Sequence, residues 1–289
     1  MMNIELTHLS EPLAKVVQSP PAGHELFWLG QAGFLFRSAS LTWIVDPYLS
    51  DHLAEKYRHH EFSHERMMPP PIAVTELPDI DFVFCTHHHG DHLDGPTIEW
   101  IAANKPNTRF VVPAGIALET TQFELPAERI IWAEADEPLA LDSDFDVVPL
   151  PAAHEDFAYD ELGHHRFLGY VFHVGPFKIF HSGDTIPYDG LNHRLVALHP
   201  ELALLPVNGR SRELSERNIA GNFSLAEAIE LCRNLRIPFL IAHHFGMFAF
   251  NTIDPSLVDA AAHKVKPVVN VLKAQAGVRY ELRDILDSR

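Results

Sequence analysis

Apolar residues along this chain come in short runs broken by polar, glycine-bearing or proline-bearing stretches, a spacing that suits strands better than long helices. The run LFWLGQAGFLF, Leu26 to Phe36, predicts a strand pair or one bent strand, and LTWIV, Leu41 to Val45, predicts a further strand ending at Asp46-Pro47. Asp81 to Cys85 is a short apolar strand. It leads through the loop THHHGDHLDG to Pro96, whose fixed φ suits the first turn of a helix. Arg109 to Val112 and Arg129 to Trp132 read as strands around a helix beginning near Gly115. Phe145 to Leu150, Phe167 to Val174 and Phe177 to Phe180 follow as successive strands. A helix over Leu191 to Leu198 precedes the strand Leu202 to Val207. Ser224 and Glu227 form a capping box that opens a helix reaching about Leu235, and Pro238 to Ala242 is a further strand. The class is mixed α/β, with more strand than a doubly wound fold needs.

Composition narrows this picture. With 289 residues, 46% of them hydrophobic and 21% charged, the chain can bury a sizeable core. It shows no repeat and no compositional break, so a single domain over 1–289 is expected, with 51–71 as a surface loop or lid. Twenty-two basic against 39 acidic residues leave a formal charge of −17, which argues against duplex nucleic acid or an anionic membrane as partner. No window approaches the roughly 18 apolar residues of a membrane span, and the first residues lack a secretory pattern. Two cysteines, Cys85 and Cys232, form no disulfide framework, so a cytoplasmic location is expected. A homo-oligomer is compatible with all of this.

Histidine is the anomaly, with 20 residues. Residues 87–92 spell His-His-His-Gly-Asp-His, so His87, His89, Asp91 and His92 bring four ligands for a borderline divalent cation into one loop after a strand. Other metal-competent side chains share that placement just beyond a strand: Asp46 after LTWIV, His154 after FDVVPLP, Asp184 after FKIF and His243 after PFLIA. Loops at strand ends are where sheet scaffolds assemble sites.

Taken together, these residues resemble the metal-dependent hydrolases of the metallo-β-lactamase fold, over about Glu25 to His244. The segments WLGQAGF, VDPYLS and HHF are similar to the branch of that superfamily containing L-ascorbate-6-phosphate lactonase. The resemblance implies an αββα sandwich, two mixed β-sheets flanked by helices. It also implies two divalent metal ions, with His87, His89 and His154 on one, Asp91, His92 and His243 on the other, and Asp184 bridging. Asp46 then orients a ligand from behind. Five histidines favour zinc, and the carboxylates leave manganese open.

The reaction expected is metal-assisted hydrolysis. Two cations sharing a water lower its pKa from 15.7 towards roughly 7, so a metal-bridging hydroxide replaces any serine or cysteine nucleophile. Asp91 is the expected catalytic acid–base group. The expected substrate is a small anionic lactone or ester, recognised by Arg210, the arginine closest to the end of the strand Leu202 to Val207, and by His244. Alternatives are a phosphodiesterase acting on RNA or a lipid phosphodiester, and iron-dependent redox chemistry. The di-iron reductases of the fold resemble a pattern with glutamate where this chain has His89. His52, His59, His60 and His64 are expected on a solvated face of the lid, and His88 and His181 in structural roles or, for His181, near substrate.

Overall fold

The computed structural model describes residues 2–284; Met1 and 285–289, the ends of the expected 1–289 domain, lie outside the described residues. The chain gathers into two compact units, one running to Val112 with Ile116–Trp132 and the segment from Gln275, the other formed by Pro113–Gly115 and Ala133–Ala274. Each unit is built on its own mixed sheet, and each sheet has helices beside it.

The first unit carries strands β1 (Met2–His8), β2 (His24–Gly30), β3 (Gly33–Arg37), β4 (Thr42–Val45), β5 (Phe82–Phe84), β6 (Arg109–Pro113), β7 (Ile130–Ala133) and, from the far end of the chain, β15 (Val278–Asp284). Their order is β1-β15-β2-β3-β4-β5-β6-β7. Strands β4, β5 and β6 run parallel, in the register Ile44↔Val83↔Phe110. These residues and Leu35 face a core shared with Leu13 of α1 (Leu13–Val16) and with Ile98 and Ile101 of α3 (Gly95–Asn104). The alternate residues Phe34, Phe36, Trp43, Phe82 and Phe84 are also buried, with the Phe36 and Trp43 rings stacked 4.7 Å apart. Burial of both faces is why the central strands read as continuous apolar runs rather than as an alternation.

Segment 51–71 is more fixed than an open lid. It contains α2 (His52–Lys56), and Arg66 ties it down by donating Nη1 to the carbonyls of Tyr48 (3.0 Å) and Ser50 (3.2 Å) with its guanidinium over the Tyr48 ring.

The second unit orders its strands β14 (Asn270–Lys273), β13 (Phe239–His243), β12 (Leu202–Pro206), β11 (Phe177–His181), β10 (Leu168–Val174), β9 (Phe145–Pro151) and β8 (Leu139–Asp142). Strands β11 to β14 are parallel, whereas β10 is antiparallel to both β9 and β11. The carboxyl ends of β9, β11 and β13 therefore lie on the same side, and the loops bearing His154, Asp184 and His244 leave from it. Helices α5 (Leu191–Leu198), α7 (Leu225–Leu235) and α8 (Ser256–Val265) pack within this unit and the short α6 (Arg212–Ser215) fills a connection, whereas the short α4 (Ala117–Thr120) belongs to the first unit. The helix predicted near Gly115 is reduced to a short 3₁₀ turn and α4. Among the described residues no helix is long and apolar enough to cross a membrane.

Candidate metal centre

In the first unit the loop after β5 delivers His87, His89, Asp91 and His92. Its histidines are oriented from behind. Asp46 is fully buried and accepts the Thr86 backbone N–H on Oδ1 (2.8 Å) and the Thr86 hydroxyl on Oδ2 (2.6 Å). His92 Nδ1 lies 2.7 Å from the same Oδ2, and because an ionised carboxylate only accepts, that ring nitrogen carries the proton. The Thr86 hydroxyl donates its hydrogen bond to Asp46, so at 2.9 Å it accepts one from His87 Nδ1. Both imidazoles thereby present Nε2 as the lone-pair nitrogen, the tautomer a cation needs.

These nitrogens meet partners of the right kind. His87 Nε2 is 2.9 Å from His89 Nδ1, close to the ~3.3 Å that two nitrogens adopt on one tetrahedral cation with ~2.0–2.1 Å bonds. His92 Nε2 is 3.8 Å from Asp91 Oδ2, and the His87 and His92 rings lie 4.0 Å apart. Two neighbouring donor pairs thus occupy one loop. Gln31, a lone amide in the β2–β3 turn that no ligand motif marks, donates its amide to Asp91 Oδ2 at 2.7 Å.

The loop is braced by Asp94, a carboxylate before a helix that no ligand motif marks. Its buried carboxylate accepts the backbone N–H groups of Leu49 and Ser50 (3.0 Å each) and the hydroxyls of Ser50 and Thr97, pinning the turn after β4 to the start of α3. His52 Nδ1 lies 2.9 Å from Asp94 Oδ1, so His52 packs against the metal-binding loop rather than on the solvated face expected for it. At Gly90 a Cβ would approach the side-chain ends of Leu53 and His52 to 2.8 and 2.9 Å, so a larger residue would push both aside.

In the second unit Asp184 lies between two imidazoles. Its Oδ2 is 3.9 Å from His154 Nε2 and 3.2 Å from His244 Nε2, and all three side chains are buried. One carboxylate oxygen facing two imidazoles suits a ligand shared by two cations. Thr185 staples the loops: its hydroxyl accepts the Ala153 N–H at 2.9 Å, while Ile186 N–H donates to the Ala153 carbonyl at 2.8 Å. His243, the histidine expected to be a ligand, instead stacks on His181 with ring centroids 5.4 Å apart. Burial, helped by His181 and His244 beside it, holds the His243 imidazole well below its ordinary pKa and therefore neutral. His181 Nδ1 accepts the Gly183 N–H, a role in the turn.

Arg210, expected to face an anion, directs both terminal nitrogens at Glu227, at 2.8 and 2.7 Å. Glu227 is the capping-box residue of α7, and this clamp on Ser224 and Glu227 is the arginine's role in the structure. Arg212 and Arg217 take the local partners Glu216 and Glu213. Cys85 and Cys232 are buried, which pushes the Cys85 thiol far up and that of Cys232 to about 12, so neither supplies a thiolate.

The donors are therefore imidazole nitrogens, those of His87 and His92 held in place from behind, together with carboxylate oxygens, a set that fits divalent cations. Known proteins agree. Residues 42–245 match the family described as the beta-lactamase superfamily domain. A UPF0173 metal-dependent hydrolase of Hyperthermus butylicus is 26% identical over 262 residues, 88% of this chain and 97% of that protein. An N-acyl-phosphatidylethanolamine-hydrolyzing phospholipase D of Caenorhabditis elegans is 23% identical over 78% of this chain and 65% of its own length. Among solved structures, a metallo hydrolase of Ignicoccus hospitalis aligns over 91% of this chain and 99% of its own at TM-score 0.65 and 19% identity. An isothiocyanate hydrolase from Delia radicum gut bacteria aligns over 90% and 98% at TM-score 0.68 and 18% identity. With its two mixed sheets, its strand-end histidines and a family match over most of its length, this chain belongs to the beta-lactamase superfamily domain family.

Proposed function

We propose that this protein hydrolyses a carboxylic ester or lactone of a small molecule, with His87, His89, Asp91, His92, His154, Asp184 and His244 as the ligands of two divalent ions. The observation that carries the reading is the chain Asp46–Thr86–His87 and Asp46–His92, which fixes two imidazoles in the metal-binding tautomer. Ions held there supply Lewis acidity and lower the pKa of water towards roughly 7. An imidazole-rich set suits zinc best, and the carboxylates tolerate manganese.

The chain's own acid–base group is Asp91. Its carboxylate is partly exposed and fixed by Gln31, so it can take a proton from the attacking water and return it to the leaving alkoxide. The formal charge of −17 supports a small molecule rather than nucleic acid as substrate. The deciding experiment is elemental analysis of purified protein together with turnover of matched lactones, chromogenic esters and phosphodiesters before and after chelation. Turnover that survives complete metal removal would end the proposal.

One observation favours a second reading, a phosphodiester within an amphiphile. The loop following His154 exposes Phe157 (38%), Tyr159 (51%) and Leu162 (81%), and Phe157 meets Tyr188 of the loop following Asp184, edge to face at 5.0 Å. Apolar side chains on both ligand-bearing loops suit an acyl chain, and the nematode relative acts on a phospholipid by name. Phosphodiesters presented in micelles, turned over while soluble lactones are not, would select this reading.

A further inference from the structure

The turn between β2 and β3 is shaped to carry one side chain inward. Gly30 has φ +97° and Gln31, which is fully buried, has φ +48°, a left-handed conformation that glycine or asparagine adopts more readily than glutamine. At Gly33 a Cβ would stand 3.0 Å from the Asp46 carbonyl and 3.1 Å from that of Gly30, so a side chain there would force the backbone of the turn to shift. The Trp28 indole N–H fastens the turn by donating to the Gln31 carbonyl at 3.0 Å. The Gln31 amide then donates to Asp91 Oδ2 at 2.7 Å, and that oxygen is the one 3.8 Å from His92 Nε2. Among the described residues the other arm of the amide, Oε1, is buried without a hydrogen-bond partner. A turn residue chosen for the fold alone has no reason to combine an unfavoured backbone conformation with a half-satisfied buried amide.

We infer that Gln31 is a positioning residue: its amide N–H fixes Asp91 Oδ2 opposite His92 Nε2, so that the two hold one cation between them. The inference rests on the two-ion reading above. It accounts for the residue type. A carboxylate at 31 would repel Asp91, an aliphatic side chain would leave Oδ2 without its donor, and asparagine, the residue best suited to the backbone, is one methylene too short to reach.

Two variants of the full-length protein test it. Gln31→Asn keeps an amide and suits the left-handed turn, whereas Gln31→Met keeps the length and removes the donor. Each is stripped of metal, melted, and titrated with Zn²⁺ against a chromogenic chelator. The expected result is an apo melting midpoint near that of the parent, one ion bound as tightly as before, and the other weakened by about 10–100-fold, the usual effect of removing an outer partner of a ligand. In an Asp91→Ala background, Gln31→Asn should weaken zinc no further. Parental affinity for both ions in both variants, or an added loss in the Asp91→Ala background, overturns the positioning role. A parent protein that binds no divalent ion overturns the metal reading instead, so the two failures are distinguishable.

Discussion

His244 Nε2 lies 3.2 Å from Asp184 Oδ2, while the adjacent His243 turns away and stacks on His181. Consecutive residues at a strand end point to opposite sides, so only one of the two can join the loops bearing Asp184 and His154. His244 reaches that position with φ +66°, a backbone conformation uncommon outside glycine and often held at functional sites.

His244→Ala should therefore lose bound metal and activity, whereas His243→Phe, which keeps an aromatic ring against His181, should retain metal and lose stability. Metal per chain by elemental analysis and the apo melting midpoint read the two effects separately. Metal lost from the His243 variant and kept by the His244 variant would restore His243 as the ligand.

Asp46→Asn tests the orienting role of the buried carboxylate. Asp46 accepts three hydrogen bonds, from the Thr86 backbone, the Thr86 hydroxyl and His92 Nδ1, and an amide oxygen with an NH₂ beside it cannot replace both carboxylate oxygens. Zinc affinity should fall by about 10–100-fold. Apo stability should fall by about 1–3 kcal/mol, measured by urea denaturation, because buried donors lose partners.

Much of this was legible from residue order. The strands from Leu26 to Cys85 and from Phe145 to Val207 emerge where expected because short apolar runs punctuated by glycine, proline and aspartate leave few alternatives. The loop 87–92 announced itself because so many ligands in one loop have little other use. The pairing of β1 with β15 was not legible, since it joins the two ends of the chain and no local pattern encodes a partner that distant. Nor was the choice between His243 and His244, which depends on where β13 ends, to within one residue. Gln31 and Asp94 carried no signal of their own, because a lone amide in a turn or a carboxylate before a helix is ordinary until its partner is seen. Arg210 looked like an anion receptor by its place after a strand, but Glu227, seventeen residues on, meets it across the start of α7.

Cys85 adjoins the metal-binding loop yet is buried, with its thiol pushed far up by that burial. Cys85→Ala should keep activity and metal content, and the native protein should resist alkylation until it is denatured. Loss of activity on mild alkylation, tracked by mass spectrometry to Cys85, would reopen thiol chemistry.

The Arg210–Glu227 pair makes a pH-dependent contribution with a definite sign. The hydrogen bonds from Arg210, followed by those from Ser224, lower the Glu227 carboxyl from an ordinary 4.5 to about 2. A carboxyl depressed in the folded state stabilises the fold above its unfolded pKa, and that contribution fades as the pH falls from about 4.5 to about 2. The pair is about one third exposed, so at neutral pH its loss in Glu227→Gln should cost only about 0.5–1 kcal/mol. Urea denaturation of metal-free protein from pH 7 downward should show the parent and variant curves converging below pH 4.5; a gap that persists to pH 2 would place the effect elsewhere. Arg210→Ala should show the same convergence, and its KM for neutral and for anionic esters should stay near that of the parent if the arginine stays on Glu227. A rise confined to anionic esters would mean that Arg210 leaves Glu227 to bind the substrate.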